Sequence, residues 1–166
     1  MSPEIVLVDN FYDIPHQYYK SFDENQCLIT DETIGKISQI LDHPINIIHA
    51  SNEVGNTPGV MAHLECDWIV VIYLGLPLES FGEMGIQFYS HLSTGLETFP
   101  TREEIIKHQL NENELRKVFS SDPELWKEYG CIPAKYNRMA LFRGSRWHSY
   151  TLNSNIRYQK IIIKNG

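Results

Sequence analysis

The chain reads as α+β, mainly β: a jelly roll or other β-sandwich with N-terminal helices and a helical insert. Three observations predict this. Short runs rich in β-branched and aromatic residues recur between turn residues, among them INIIHA, PGVMAHL, WIVVIYLG, GIQFYSH, YNRMALF and RYQKIIIKN. Helical patterning is confined to the first forty residues and to a charged stretch from Thr101 to Tyr129. Strands and helices therefore come in separate runs, which gives an α+β order rather than repeated βαβ units.

The elements follow in order. The opening IVLVD is a strand by its β-branched content. Ile14 to Phe22 forms a short helix, with Pro15 in its first turn where the missing N–H costs nothing. Asp31 is placed to cap a helix over TIGKISQIL that puts Ile34, Ile37, Ile40 and Leu41 on one face. WIVVIYLG is nearly all apolar, which predicts a central strand buried on both faces. Thr101 followed by Glu104 has the form of a capping box and starts a helical insert, 101–129, between the earlier and later strands.

A length of 166 residues fits a single domain, 1–166, with a sizeable core. The net charge of −7 argues against a nucleic-acid backbone or an anionic membrane as main partner, because either wants a basic face. The start, MSPEIVLVDNFYDIP, lacks the pattern of a secretory signal, and no apolar run is long enough to span a bilayer as a helix. Three cysteines, Cys27, Cys66 and Cys131, with no C-x-x-C spacing fit a reduced cytoplasmic setting and make no zinc site.

Two segments carry candidate chemistry. In HLECDW, His63 and Glu65 are two apart, and on a strand they face the same way. With His148 as a third ligand they would form the two-histidine, one-carboxylate set that binds iron(II) and leaves positions open. Asp67 is the alternative carboxylate. Arg157 lies nine residues after His148 at the start of a strand. If the two sit on neighbouring strand ends, a metal-chelating dicarboxylate could set its far carboxylate on the guanidinium as a bidentate pair. The plainer alternatives are a hydrogen-bonded histidine and a solvated strand-edge arginine. His91, with Tyr89 two residues before it, could line a substrate pocket or bond a nearby loop.

Three segments resemble the 2-oxoglutarate- and iron(II)-dependent dioxygenases, in particular their prolyl-hydroxylase-like branch and related bacterial and phage proteins. HLECDWIVVIYLGLP resembles that branch's H-x-D motif and the strand after it, which ends in Tyr-Leu-Asn. GEMGIQFYSHLSTG resembles the glycine-containing strand that follows, and NRMALFRGSRWHSYTLNSNIRYQKIII resembles the closing segment with the second histidine and a basic residue nine positions on. The resemblance implies a double-stranded β-helix fold and Fe(II) and 2-oxoglutarate as cofactors. It implies His63, Glu65 and His148 as metal ligands, with no catalytic group beyond them, and Arg157 and Tyr73 on the cosubstrate carboxylate. It also implies a small-molecule or peptidyl substrate and a cytoplasmic enzyme, in the host cytoplasm if phage-encoded. Three features depart from the pattern: Glu65 stands where the branch has aspartate, Gly75 where it has asparagine, and the strand after that lacks the usual glycine pair. Those departures motivate a rival, a non-catalytic jelly-roll binding or virion-associated module that kept the oxygenase fold.

Overall fold

The computed structural model describes residues 5–24, 26–55, 57–75, 84–111, 124–151 and 156–166. The first half holds β1 (Ile5–Val8), α1 (Pro15–Lys20), α2 (Asp31–Leu41), β2 (Ile45–Val54), β3 (Thr57–Met61) and β4 (Trp68–Gly75). The second half holds β5 (Gly85–His91), α3 (Arg102–Lys107), β6 (Trp126–Pro133), β7 (Met139–Arg143), β8 (His148–Thr151) and β9 (Arg157–Asn165). The strands make two sheets, one in the order β1-β7-β4-β9-β2 and one in the order β3-β8-β5-β6. Every strand pairing is antiparallel.

β4 is the middle strand of the five, and Trp68 to Leu74 are all buried, as its unbroken apolar run predicts. Its two faces serve two cores. Ile69, Val71 and Tyr73 point between the sheets, where they meet Ile86, Phe88, Ala140, Phe142, Tyr150, Tyr158 and Ile162. Trp68, Val70, Ile72 and Leu74 point the other way, onto Phe11, Tyr12, Tyr18 and Ile37 from the helical N-terminal segment. The helices thus cover the outer face of the larger sheet, and the inner face packs on the smaller one.

Five expectations need correction. The N-cap of α2 is Thr30 rather than Asp31: Thr30 is extended, and its hydroxyl and that of Thr33 each accept the other residue's backbone N–H. Ile34 is 39 % exposed, and Thr33 takes its place beside Ile37, Ile40 and Leu41 on the core side of α2. The insert is helical only over Arg102–Lys107, with the expected Thr101–Glu104 box; residues 112–123 lie outside the described residues. Residues 126–129, expected in that helix, belong to β6, because pairing with β5 overrides the local charge pattern of Lys127 and Glu128. Finally, His63 and Glu65 are in the loop between β3 and β4, so strand alternation is not what brings them together.

Candidate functional site

His63 and His148 meet because two loops are pinned to each other. The His63 N–H donates to the Gly144 carbonyl at 2.6 Å, and the Gly144 N–H donates to the Asp67 carbonyl at 3.2 Å. Gly144 is in the turn from β7 to β8, and His148 opens β8 four residues later. Only glycine fits there. A Cβ at position 144 would come within 2.6 Å of the His63 carbonyl oxygen and 2.5 Å of the Cys66 sulfur. The two imidazole centroids are 5.8 Å apart. Metal–nitrogen bonds of about 2.1 Å put two imidazoles on one ion with centroids roughly 4.5–6.5 Å apart, so this spacing suits a shared ion.

The tautomers suit it too. His148 is fully buried, and its Nδ1 lies 2.7 Å from the Arg146 carbonyl, an acceptor, so Nδ1 carries the proton. Nε2 is left as a bare lone pair, buried and without a hydrogen-bond partner. A backbone carbonyl on the far nitrogen is the usual means of orienting a metal-binding histidine. Burial pulls the His148 pKa down to about 3, and the nearby His63 and Lys160 add to the effect, so the ring is neutral at physiological pH.

His63 is held from both sides. Nδ1 is 3.2 Å from Glu65 Oε1, and Nε2 is 3.4 Å from Lys160 Nζ. The ammonium has no acceptor lone pair, so Nε2 accepts from Lys160 and Nδ1–H donates to Glu65. Burial, then the Lys160 charge, lower the His63 pKa, while Glu65 pulls the other way. The partial burial of Glu65 would raise its pKa, but its own backbone N–H, His63 and Lys160 outweigh that and keep it an anion. Among the described residues no three His, Cys, Asp or Glu side chains already form a metal-holding cluster. The donors nevertheless fit an ion in kind: two imidazoles with Nε2 lone pairs and one ionised carboxylate beside them.

Lys160 was not anticipated. On β9, Tyr158 and Ile162 point into the inter-sheet core, while Ile161 and Ile163 point to the helices. Lys160 shares the inner face with Tyr158 and Ile162, two positions from each. Arg157 is on the opposite face, with its guanidinium carbon 5.4 Å from the Tyr19 ring centroid. Gln159, on that same outer face, bonds Tyr12 Oη and the Leu28 carbonyl. Arg157 and His148, expected to work side by side, thus have their side chains on opposite sides of the larger sheet. Parity alone separates Arg157 from Lys160 in the sequence. Which of them faces inward depends on the Tyr73–Tyr158 register, which the sequence does not display.

Tyr73 faces inward, and Tyr150 joins it. Their hydroxyls are buried and unbonded, and burial raises both pKa values so that each stays a protonated donor. The rings run as a chain from His148 to Tyr150 (5.4 Å), Tyr158 (5.7 Å) and Tyr73 (6.1 Å), with Lys160 Nζ 5.5 Å above the Tyr150 ring. Lys160 and the Tyr73 and Tyr150 hydroxyls are the donors that this inner face could offer an anion. Each unpaired buried polar atom costs about 1–3 kcal/mol, so a bound water or ligand that pairs His148 Nε2 or the two hydroxyls is stabilised there.

The remaining candidates are elsewhere. Asp67 Oδ2 accepts the Asn165 N–H at 2.8 Å, which ties down the end of β9. The Tyr89 hydroxyl bonds Ser149 Oγ, and His91 Nδ1 bonds Thr94 and Ser93 while its ring meets Trp126 edge-on. Tyr89 and Ser149 alternate with the inward-facing Phe88, His148 and Tyr150, so they lie on the outer face of the smaller sheet, away from the two-histidine site. His91 does the plainer of its two expected jobs, bonding its own loop.

Residues 53–161 match the family of unknown function DUF6445, and the chain belongs to that family. No curated protein matches it. Among solved structures it is similar to HygX from Streptomyces hygroscopicus with iron bound, at 7 % identity and a TM-score of 0.53, over 99 % of this chain and 83 % of HygX. HygX with nickel and 2-oxoglutarate bound matches at 8 % identity and a TM-score of 0.50, over 98 % and 81 % of the two chains. At such identity the likeness is one of fold: a mainly β protein of two antiparallel sheets.

Proposed function

We propose that this protein is an iron(II)- and 2-oxoglutarate-dependent oxygenase on a double-stranded β-helix. His63, His148 and Glu65 hold the metal, and Lys160 with Tyr73 holds the far carboxylate of the cosubstrate. One observation carries the reading. A protein of net charge −7 turns a half-buried lysine between its sheets, where Nζ meets His63 Nε2 and the Tyr150 ring close to the bare Nε2 of His148. The resemblance of the HLECDW and RWHSY segments to the dioxygenases supports it, as does a fold shared with a protein solved with 2-oxoglutarate bound. When bound, the iron and 2-oxoglutarate would supply the oxidising chemistry that hydroxylates a C–H bond.

The chain's own residues do the rest. The Arg146 carbonyl fixes the His148 ring and its tautomer. Lys160 supplies the charge that orients a dicarboxylate, and Tyr73 donates to the same group. Val71, Phe88 and Phe142 wall the inter-sheet core and exclude water, which strengthens each of these contacts. A second reading, a non-catalytic anion-binding module, has one observation in its favour: Glu65 bonds Nδ1 of His63 rather than standing beside its lone pair.

The test is the affinity of the nickel-loaded protein for 2-oxoglutarate by calorimetry. Lys160→Met should weaken it about tenfold to a hundredfold, the worth of a charged hydrogen bond. Arg157→Met should leave it unchanged. The reverse pattern would restore Arg157 as the anchor and remove Lys160. A wild-type protein that binds 2-oxoglutarate without nickel, and binds no nickel, would favour the non-catalytic module.

A further inference from the structure

The ammonium proposed to hold the acid also occupies the ring nitrogen that a metal needs. Lys160 Nζ lies 3.4 Å from His63 Nε2, and that atom is the ring's only lone pair while Nδ1–H is bonded to Glu65. One lone pair cannot accept a proton donor and bind an ion at once. A cation arriving at His63 must therefore displace the ammonium and then sit beside its positive charge.

Every charged group facing Lys160 bears on where it would go. His63, Glu65 and Cys66 approach from the β3–β4 loop, Glu53 from β2, and His148 and the Tyr150 ring from β8. Burial disfavours the charged ammonium, with the carboxylates of Glu53 and Glu65 opposing that. The alternative direction along the inner face of β9 is toward Tyr158, whose ring packs against those of Tyr73 and Tyr150, the two residues with unpaired hydroxyls. A carboxylate bound among these donors would draw the ammonium off His63.

We infer that Lys160 couples the two halves of the site: it blocks the metal-binding nitrogen of His63 until a carboxylate ligand takes up its charge. This rests on the proposed metal centre and adds to it a sign. The same side chain lowers affinity for the metal alone and raises affinity for the acid. A residue that only anchored the acid would leave the affinity for metal alone untouched. By reciprocity, the acid must tighten the metal by the factor that the metal tightens the acid.

The experiment is calorimetric titration of the apo-protein with nickel(II), with and without saturating 2-oxoglutarate. It is made on wild type, Lys160→Met and Lys160→Arg, with circular dichroism and melting to confirm each fold. Lys160→Met should bind nickel alone about tenfold more tightly than wild type, a size usual for coupling between sites. Its gain in nickel affinity on adding 2-oxoglutarate should shrink, leaving only what direct chelation gives. Lys160→Arg, which keeps the charge, should stay as weak as wild type for nickel alone. Equal or weaker nickel binding by folded Lys160→Met overturns the coupling and leaves the metal centre standing. No nickel binding by either protein brings down both.

Discussion

His148 is the residue on which the site turns, and its environment makes a pH prediction. Its pKa is about 6.5 in an unfolded chain and about 3 when folded, because burial disfavours the charged ring. The unfolded state then binds the extra proton, so stability falls as pH drops through this window. The metal-free protein should lose up to about 1.4 kcal/mol per pH unit between pH 6.5 and 4.5, measured by urea unfolding. Below that, the depressed carboxylates of Asp9 and Glu32 add their own loss. His148→Gln should flatten the slope above pH 4.5. A second residue-scale prediction separates the carboxylates. Asp67→Ala should cost about 1 kcal/mol of stability, since it leaves the Asn165 N–H unpaired, and should not change nickel affinity. Glu65→Ala should weaken nickel binding at least tenfold with little effect on stability, because Glu65 is mostly exposed. The histidines and the carboxylate were legible from the residue types and the family likeness. Lys160 was not, because a lysine in a strand reading YQKIII passes for an outward-facing charge until its inward face is seen.

At the scale of elements, the decisive joint is the β7–β8 turn against the β3–β4 loop. Gly144→Ala should lower the melting temperature, because a Cβ there would meet the His63 carbonyl at 2.6 Å. It should also weaken nickel binding, because relief of that clash moves the His63 loop away from β8. Gly130→Ala, where a Cβ meets nothing within 4 Å, serves as the control that should change neither. Elements with strong local signals were readable in the sequence: the all-apolar β4, the Thr101–Glu104 cap and the β9 run. β6 was missed because WKEYGCIP carries two charges in its first half, and its strand character comes from pairing with β5. The His63–Glu65 pair was found for a reason that does not hold, since a loop rather than a strand brings the two side chains within 3.2 Å.

At the scale of the whole molecule, sandwich construction explains how an acidic chain turns a lysine toward its interior. The helices and the outer face of the larger sheet form one apolar core, which holds β4 and β9 rigid. The inner faces form the other core, and the polar residues placed there, His148, Tyr73, Tyr150 and Lys160, meet with no local signal in common. Their convergence is a product of strand order, with β9 beside β4 and β8 beside β3 and β5. Among the described residues no helix is long and apolar enough to cross a membrane. The central claim is that these residues bind iron(II) and 2-oxoglutarate together. Its most direct test is anaerobic titration of the apo-protein with iron(II) followed by 2-oxoglutarate, watched in the visible spectrum. A weak charge-transfer band should appear on adding the acid, and it should be absent in folded His148→Ala. Iron and acid that give no band with the wild-type protein, or the same band with His148→Ala, would contradict the account.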